Sequence, residues 1–440
     1  MASQNQPYRT LLTTFVAWKL FLFAIVVGCN LVGDTYDTSA GLVVQAGHHE
    51  GGDWPTGSWP GLVTRLTSWD AIYFVSIARR GYRFEQEWAF GGGLPTVVRA
   101  LVKGLEYLGI AGPSAAQEGQ GAVPEALAGI VVANAAHLLS TLVLYRLGQL
   151  VWRDRPLSLV AAILHILSPA GLFLSAPYTE SSFALLSFSG YLLFALSCRA
   201  ERSPTSRDIY VILAGILFGL ASTFRSNGIL NGIPFAWEVL CHLPKLHRRP
   251  SDTLRRLLAL GVGGVGVAAG SIVPQALAYL RFCSGTSGVE PRPWCRAYLP
   301  SIYTFVQRHY WNTGFLRYWT VSNLPLFLLA APMLAVLVRS GVEQLRTGRG
   351  RSLADNPAES ARLLSLVRSA AATQVLLAVL AMTTYHVQII TRISSGYPLW
   401  YWWLAGSLIR QEKSGSRIAM FMVMYASIQA ALFASFLPPA

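Results

Sequence analysis

The sequence predicts an all-α polytopic membrane protein, and three observations carry that reading. Hydrophobic residues make up 53% of the 440-residue chain and charged residues 13%, about half the ~25% of a soluble domain. Apolar runs close to the roughly 20 residues that a helix needs to cross a bilayer recur along the chain. The acids are segregated: nine of 21 lie between Asp34 and Glu118, in one polar stretch. Such a composition excludes a disordered chain, a coiled coil, a collagen and a small disulfide scaffold. Residues 1–440 read as a single polytopic domain of about 11 transmembrane helices.

The first run, Leu11–Gly33, is too long for a signal-peptide core, lacks a small-residue cleavage site, and reads as an anchor. Ten more follow: Ala122–Trp152, Leu157–Ala176, Tyr178–Cys198, Ile209–Phe224, Gly228–Leu243, Leu257–Phe282, Trp319–Arg339, Leu363–Thr384, Ile393–Ile409 and Ile418–Leu437. Two are short, Ile209–Phe224 and Gly228–Leu243, and read as a hairpin or one re-entrant element. With a cytosolic N-terminus, the segments 1–10, 153–156, 199–208, 244–256, 340–362 and 410–417 hold 18 of the 35 Lys/Arg in about 68 residues. This is the expected cytosolic bias. The net charge of +14 is therefore topology signalling, and no nucleic-acid partner is expected.

That orientation puts two long loops in the lumen, 34–121 and 283–318, with every unusual polar cluster on the same side. The first loop carries an amphipathic stretch, Leu66–Arg80, and a second, Leu94–Ile110, both expected to lie at the lipid surface. Residues 111–121 read as a flexible connector. Among the five cysteines, Cys283 and Cys295 share a loop and are either bridged in an oxidising lumen or two separate thiols. There is no CxxC, HExxH, DxD or Walker loop, so no metal, nucleotide or obligatory cofactor is expected.

Five constellations combine charge with aromatic residues. Trp69-Asp70 precedes Arg79-Arg80 and then Glu85 and Glu87: cations for a phosphate, carboxylates for a general base, or simply a solvated interfacial helix. Tyr178-Thr179-Glu180 lies between apolar runs, where a Glu needs a partner, a task or a helix N-terminus to cap. Arg225-Ser226-Asn227 offers a phosphate or carboxylate ligand or a snorkelling anchor. Tyr303–Trp319, including Tyr310-Trp311-Asn312, suits sugar stacking or an aromatic belt. His386, Gln388 and Arg392 could contact a phosphate, or form a polar loop before a surface-anchored Trp-rich helix at Trp400–Trp403.

Ser68-Trp69-Asp70-Ala71 through Phe90 closely resembles the glycosylphosphatidylinositol (GPI) mannosyltransferase II family. Ser168-Pro169-Ala170 to Glu180 and Phe183–Leu186, Arg225–Gly228, Tyr310–Asn312 with Gly314-Phe315, and His386–Gln388 with Thr391-Arg392 match in the same order. One turn departs from the family pattern: Gly91-Gly92-Gly93-Leu94-Pro95 stands where Phe-Pro-Gly is common. The insertion Trp54–Gly61 resembles fungal members. The resemblance implies a GT-C-like, multi-pass endoplasmic reticulum enzyme with a lumenal site. It implies transfer of the second mannose of the GPI core, α1,6-linked, from dolichyl phosphate mannose with inversion. Asp70 would be the base. Arg79, Arg80, Arg225, His386 and Arg392 would be candidates for the donor phosphate. Trp69, Glu85, Glu87, Tyr178, Glu180, Asn227, Tyr310, Trp311, Asn312 and Gln388 would be candidates for sugar and acceptor. The implied partners are the lipid-linked donor, the GPI-precursor acceptor, the endoplasmic reticulum membrane and a small accessory membrane subunit. The alternatives are another polyprenyl-phosphate-sugar transferase of that architecture, as in N-glycan assembly, and a multipass transporter or scramblase, which predicts polar residues at the midplane.

Overall fold

The computed structural model describes residues 2–44, 59–110, 121–200, 203–247, 250–284, 292–347 and 356–438. Among them every regular element is helical. Most of the connector at 111–121 and residues 54–58 of the Trp54–Gly61 insertion lie outside the described residues.

Each of the eleven apolar runs falls on helical chain, and among the described residues eight helices are long and apolar enough to cross a membrane: Gln6–Val32, Val123–Trp152, Glu180–Arg199, Pro204–Phe224, Pro250–Cys283, Val321–Arg346, Pro357–Thr383 and Lys413–Ala434. The other three runs are broken. Arg155–Ile166 is followed by a 3-10 turn, Gly171–Leu174. Ser226–Gly232 is 3-10 before the Ile233–His242 helix. Two short turns at Ile390–Gly396 precede Leu399–Ile409. Prolines stand at the breaks: Pro169, Pro177, Pro234 and Pro398, each lacking the N–H that a continuing helix needs. Irregular backbone at membrane depth is stable only where it is buried in protein or lines a cavity. The three breaks do both.

The interior packs closely. Glycines 215 and 219 on one helix meet Gly263, Gly266 and Gly270 on another, and a Cβ on Gly270 would collide with the Gly219 carbonyl. Small residues in such a seam let helix backbones approach within lipid. The Trp-rich helix is not a surface anchor, because Trp400 and Tyr401 are fully buried in the main core. At the far end of the Glu180–Arg199 helix, buried Arg256 donates to Glu238 Oε1 (2.8 Å) and Ser197 Oγ (2.9 Å), tying three helix ends together.

The described part of the first loop is folded. Trp59–Leu66, Asp70–Arg80 and Gly93–Tyr107 are helices, and the expected Leu66–Arg80 helix is split at Thr67–Trp69. Cys283 and Cys295 form a disulfide, closing the end of the Pro250–Cys283 helix onto the second loop.

Candidate active site

The break before Asp70 makes the site. Trp69 adopts a left-handed backbone (φ 59°), which starts a new helix at Asp70. Such a conformation is strained for a bulky residue and must be held by its surroundings. The Trp69 ring stacks on Phe436 at 5.0 Å. Tyr178 donates its hydroxyl to the Ser68 carbonyl (3.1 Å). Asp70 thus occupies a first helical turn, where a carboxylate is favoured by the helix dipole, and its side chain is 40% exposed.

From Asp70 a chain of charges runs inward. Arg392 Nη2 lies 3.2 Å from Asp70 Oδ2, and Arg392 Nε lies 2.9 Å from Glu180 Oε1. Arg225 Nη1 reaches the same Glu180 oxygen at 2.7 Å. Glu180 is fully buried, so two guanidiniums share one carboxylate away from water. The Arg392 guanidinium also lies over the rings of Phe173 (4.0 Å) and Tyr178 (4.9 Å), a cation–π cradle. Glu180 and Asp70 together compensate the buried charge on Arg392. Arg225 donates further to Thr179 Oγ1 (3.1 Å) and Asn227 Oδ1 (3.3 Å), and Asn227 donates to Tyr397 (3.0 Å).

These groups border a cavity of about 540 Å³. Asp70, Arg225, Asn227, His386, Gln388 and Arg392 form its polar part, and Tyr73, Phe90, Phe173, Phe224, Trp311 and Trp69 much of its aromatic wall. Among the described residues, Trp69 Nε1 and Gln388 Oε1 are buried without a hydrogen-bond partner, and both residues line the cavity. Tyr178 and Glu180 stand directly behind it. Among the described residues, no group of three or more His, Cys, Asp or Glu side chains converges to hold a metal.

Six of the sequence candidates lie elsewhere. Arg79 donates to the Gly121 carbonyl. Arg80 pairs with Glu87 (2.5 Å), which also accepts from the backbone N–H of Arg83 (2.7 Å) and Phe84 (3.1 Å). Glu85 accepts from Trp294 Nε1 (2.5 Å), beside the disulfide. These four charges tie the first loop to itself, to Gly121 and to Trp294 of the second loop rather than face the cavity. Tyr310 packs against Phe305 and His309, and Asn312 takes a positive φ (48°) in the turn that follows. Tyr303 and Gln307, from the aromatic stretch Tyr303–Trp319, line the cavity, as do Phe173 and Tyr385, which the sequence did not mark. Tyr303 and Gln307 are four apart on one helix face, a legible signal, whereas Phe173 lies unmarked in an apolar run. The unusual glycine turn also finds its reason: a Cβ on Gly91 would strike the Phe224 and Thr223 carbonyls, and one on Gly93 the Phe224 ring.

The family profile described as "Mannosyltransferase (PIG-V)" matches residues 55–440. This chain belongs to the PIG-V mannosyltransferase family. It is 68% identical to GPI mannosyltransferase 2 of Chaetomium globosum over 99% of this chain and 97% of that one. It is 46% identical to the Gibberella zeae protein of that name, over 99% of each. The Schizosaccharomyces pombe counterpart is 32% identical over 84% of this chain and 73% of its own. Among solved structures, the archaeal oligosaccharyltransferase AglB of Archaeoglobus fulgidus, in complex with an inhibitory peptide and a dolichol-phosphate, aligns with a TM-score of 0.45 at 13% identity, over 96% of this chain and 56% of that one. As a PIG-V mannosyltransferase the chain is a glycosyltransferase, and the Asp70–Arg392–Glu180–Arg225 chain is the ion-pair network that borders its cavity.

Proposed function

We propose that this PIG-V mannosyltransferase adds the second mannose, in α1,6 linkage, to the GPI-anchor precursor in the endoplasmic reticulum lumen, using dolichyl phosphate mannose. The observation that carries the mechanism is a partly exposed carboxylate, Asp70, joined to two guanidiniums at one aromatic-walled cavity. A β-linked mannosyl phosphate giving an α product requires one inverting displacement. The acceptor hydroxyl oxygen attacks the anomeric carbon while Asp70 takes its proton. The bond from that carbon to the phosphate oxygen breaks, and its electron pair leaves with dolichyl phosphate. Arg392 and Arg225, fixed by Glu180, are placed to stabilise that growing negative charge. The aromatic wall suits a sugar face, and Trp69 Nε1 and Gln388 Oε1 suit sugar hydroxyls. A small accessory membrane subunit remains part of this reading, as does a GT-C-like architecture. The names of the fungal relatives, all GPI mannosyltransferase 2, support the choice of acceptor over an N-glycan precursor.

The test is mannose transfer from dolichyl phosphate mannose in microsomes with matched protein levels. Asp70→Asn keeps the size and much of the hydrogen bonding but cannot take the proton, and is expected to lose about 10²-fold or more. Asp70→Glu is expected to fail as well, because its extra methylene displaces the oxygens. Near-normal transfer by Asp70→Asn removes Asp70 as the base.

A further inference from the structure

The Gly171–Leu174 turn is a wall with two sides. Phe173 faces the catalytic cavity, whereas Leu172 and the following Ser175 line a second cavity of about 440 Å³. This second space lies between the Ala2–Val32, Trp59–Leu66 and Val123–Trp152 helices, and its walls are almost wholly apolar. Its outer edge is formed by Val16, Leu20, Phe23 and Trp59, all exposed, so it opens toward lipid.

One charged side chain lines it. Lys19 Nζ donates to the Leu174 carbonyl (3.0 Å) and to Ser175 Oγ (2.7 Å), and lies 5.2 Å from the Phe15 ring centre. Asn134 donates to the Ser175 carbonyl (3.1 Å) and holds that turn in place. No acidic residue lines the cavity, and Lys19 has no carboxylate partner among the described residues. An ammonium on a membrane helix is costly without an opposite charge and marks a functional position. Ser181 Oγ donates to the same Leu174 carbonyl (3.0 Å), so the ammonium shares its acceptor with the first turn of the Glu180–Arg199 helix.

We propose that the second cavity binds an anionic phosphodiester lipid, its phosphate oxygen accepting the remaining Lys19 N–H and its acyl chains lying along the groove between the Ala2–Val32 and Trp59–Leu66 helices. Charge complementarity selects the headgroup, and the exposed apolar rim selects a lipid over a water-soluble anion. The site stands apart from the mannosyl-transfer reading, since it neither faces Asp70 nor needs a particular sugar.

The experiment is native mass spectrometry of the purified full-length protein, titrated with phosphatidylinositol or with zwitterionic phosphatidylcholine. The variants are Lys19→Met, Lys19→Arg and Leu62→Trp, the last filling the cavity without touching charge. Wild type and Lys19→Arg are expected to hold one phosphatidylinositol per chain. Lys19→Met and Leu62→Trp are expected to bind it about tenfold or more weakly, the usual scale for a lost hydrogen bond to a charged group. Phosphatidylcholine binding is expected to be weak and indifferent to Lys19→Met. Equal phosphatidylinositol retention by wild type and Lys19→Met overturns the proposal. Should Lys19→Met fail to fold, undiminished retention by Leu62→Trp overturns it instead. Lipid retention is read without mannose transfer, so failure here and failure of the Asp70 mechanism are separate results.

Discussion

Glu180 Oε1 accepts from Arg392 Nε and forms an ion pair with Arg225, which makes it the residue on which the site's charge balance turns. Removing one partner of a buried ion pair leaves an uncompensated charge at about 3–5 kcal/mol. Glu180→Gln is therefore expected to destabilise the protein and abolish transfer, and a second change, Arg225→Gln, is expected to restore part of the stability but none of the activity. Thermal unfolding in detergent checks the first and the microsomal assay the second. Arg225→Lys is not conservative here. One guanidinium reaches Glu180, Thr179 and Asn227, a fork that a single ammonium cannot span, and a loss of at least about tenfold is expected. His386 makes a pH prediction. Burial lowers its pKa, with nearby Asp70 opposing, and the Tyr318 ring lies against it at 4.9 Å. A histidine whose folded pKa is below its unfolded value of about 6.5 takes up more protons when unfolded. Its contribution is intact above that value and falls as pH drops through about 6.5 toward the folded pKa. Thermal stability should decline from pH 7 to 5.5, and His386→Gln should flatten the decline. Glu87, held ionised by Arg80 and two backbone N–H groups against its burial, gives a loss only below about pH 4.5, outside that window.

Among the elements, the segment after the last long helix is close to the catalytic turn. Ser435 accepts from the Tyr36 N–H (3.0 Å), Ala434 accepts from Arg65 (2.9 Å), and Phe436 stacks on Trp69. Phe436 is thus a positioning residue: it holds the left-handed Trp69 backbone that aims Asp70. Phe436→Ala at matched protein levels should lower kcat by about tenfold, since small misplacements of a reacting group are costly, with little change in KM, and Phe436→Tyr should recover most of it. A normal kcat in Phe436→Ala would contradict this. How much was legible follows from such elements. Asp70, Glu180, Arg225 and Arg392 could be found because each is a charge in or beside apolar sequence, where chance placement is expensive. Phe173 and Phe436 could not, because an aromatic in an apolar run carries no mark of which side it faces. The pairing of Arg80 with Glu87 was not legible, because seven residues of separation does not reveal that a turn folds one back onto the other. The breaks in Leu157–Ala176 and Ile393–Ile409 were not legible, because hydropathy sums side chains and does not register a 3-10 turn.

At the scale of the molecule, the contact between Asp70 and Arg392 fixes how often the chain must return. From Asp70 one long helix, Val123–Trp152, leads away from the site, yet Glu180 is back beside Arg392 at 2.9 Å. Only the broken Arg155–Leu174 segment can make that return. The Pro250–Cys283 helix likewise ends near the site, where Cys295 is bonded to Cys283 and its neighbour Trp294 donates to Glu85. Leaving Arg225, the chain must therefore descend through Ser226–His242. Phe436, stacked on Trp69, requires the same of Leu399–Ile409 before Lys413–Ala434 rises. The eight long helices alone cannot satisfy these contacts, and the three short segments are expected to traverse as well. The Lys/Arg bias adds an expected direction: Lys245 and Lys413 in the cytosol and the site in the lumen. Single cysteines at Tyr36, Ser203, Lys245, Tyr298 and Lys413, in a chain freed of Cys29, Cys198 and Cys241, test this in sealed microsomes with an impermeant maleimide. Positions 203, 245 and 413 should react from outside, and 36 and 298 only after the membrane is opened. Position 413 reacting with the same side as 36 would show that the Trp-rich segment does not cross. Reaction of 36 from outside would place Asp70 and its cavity in the cytosol and end the lumenal assignment.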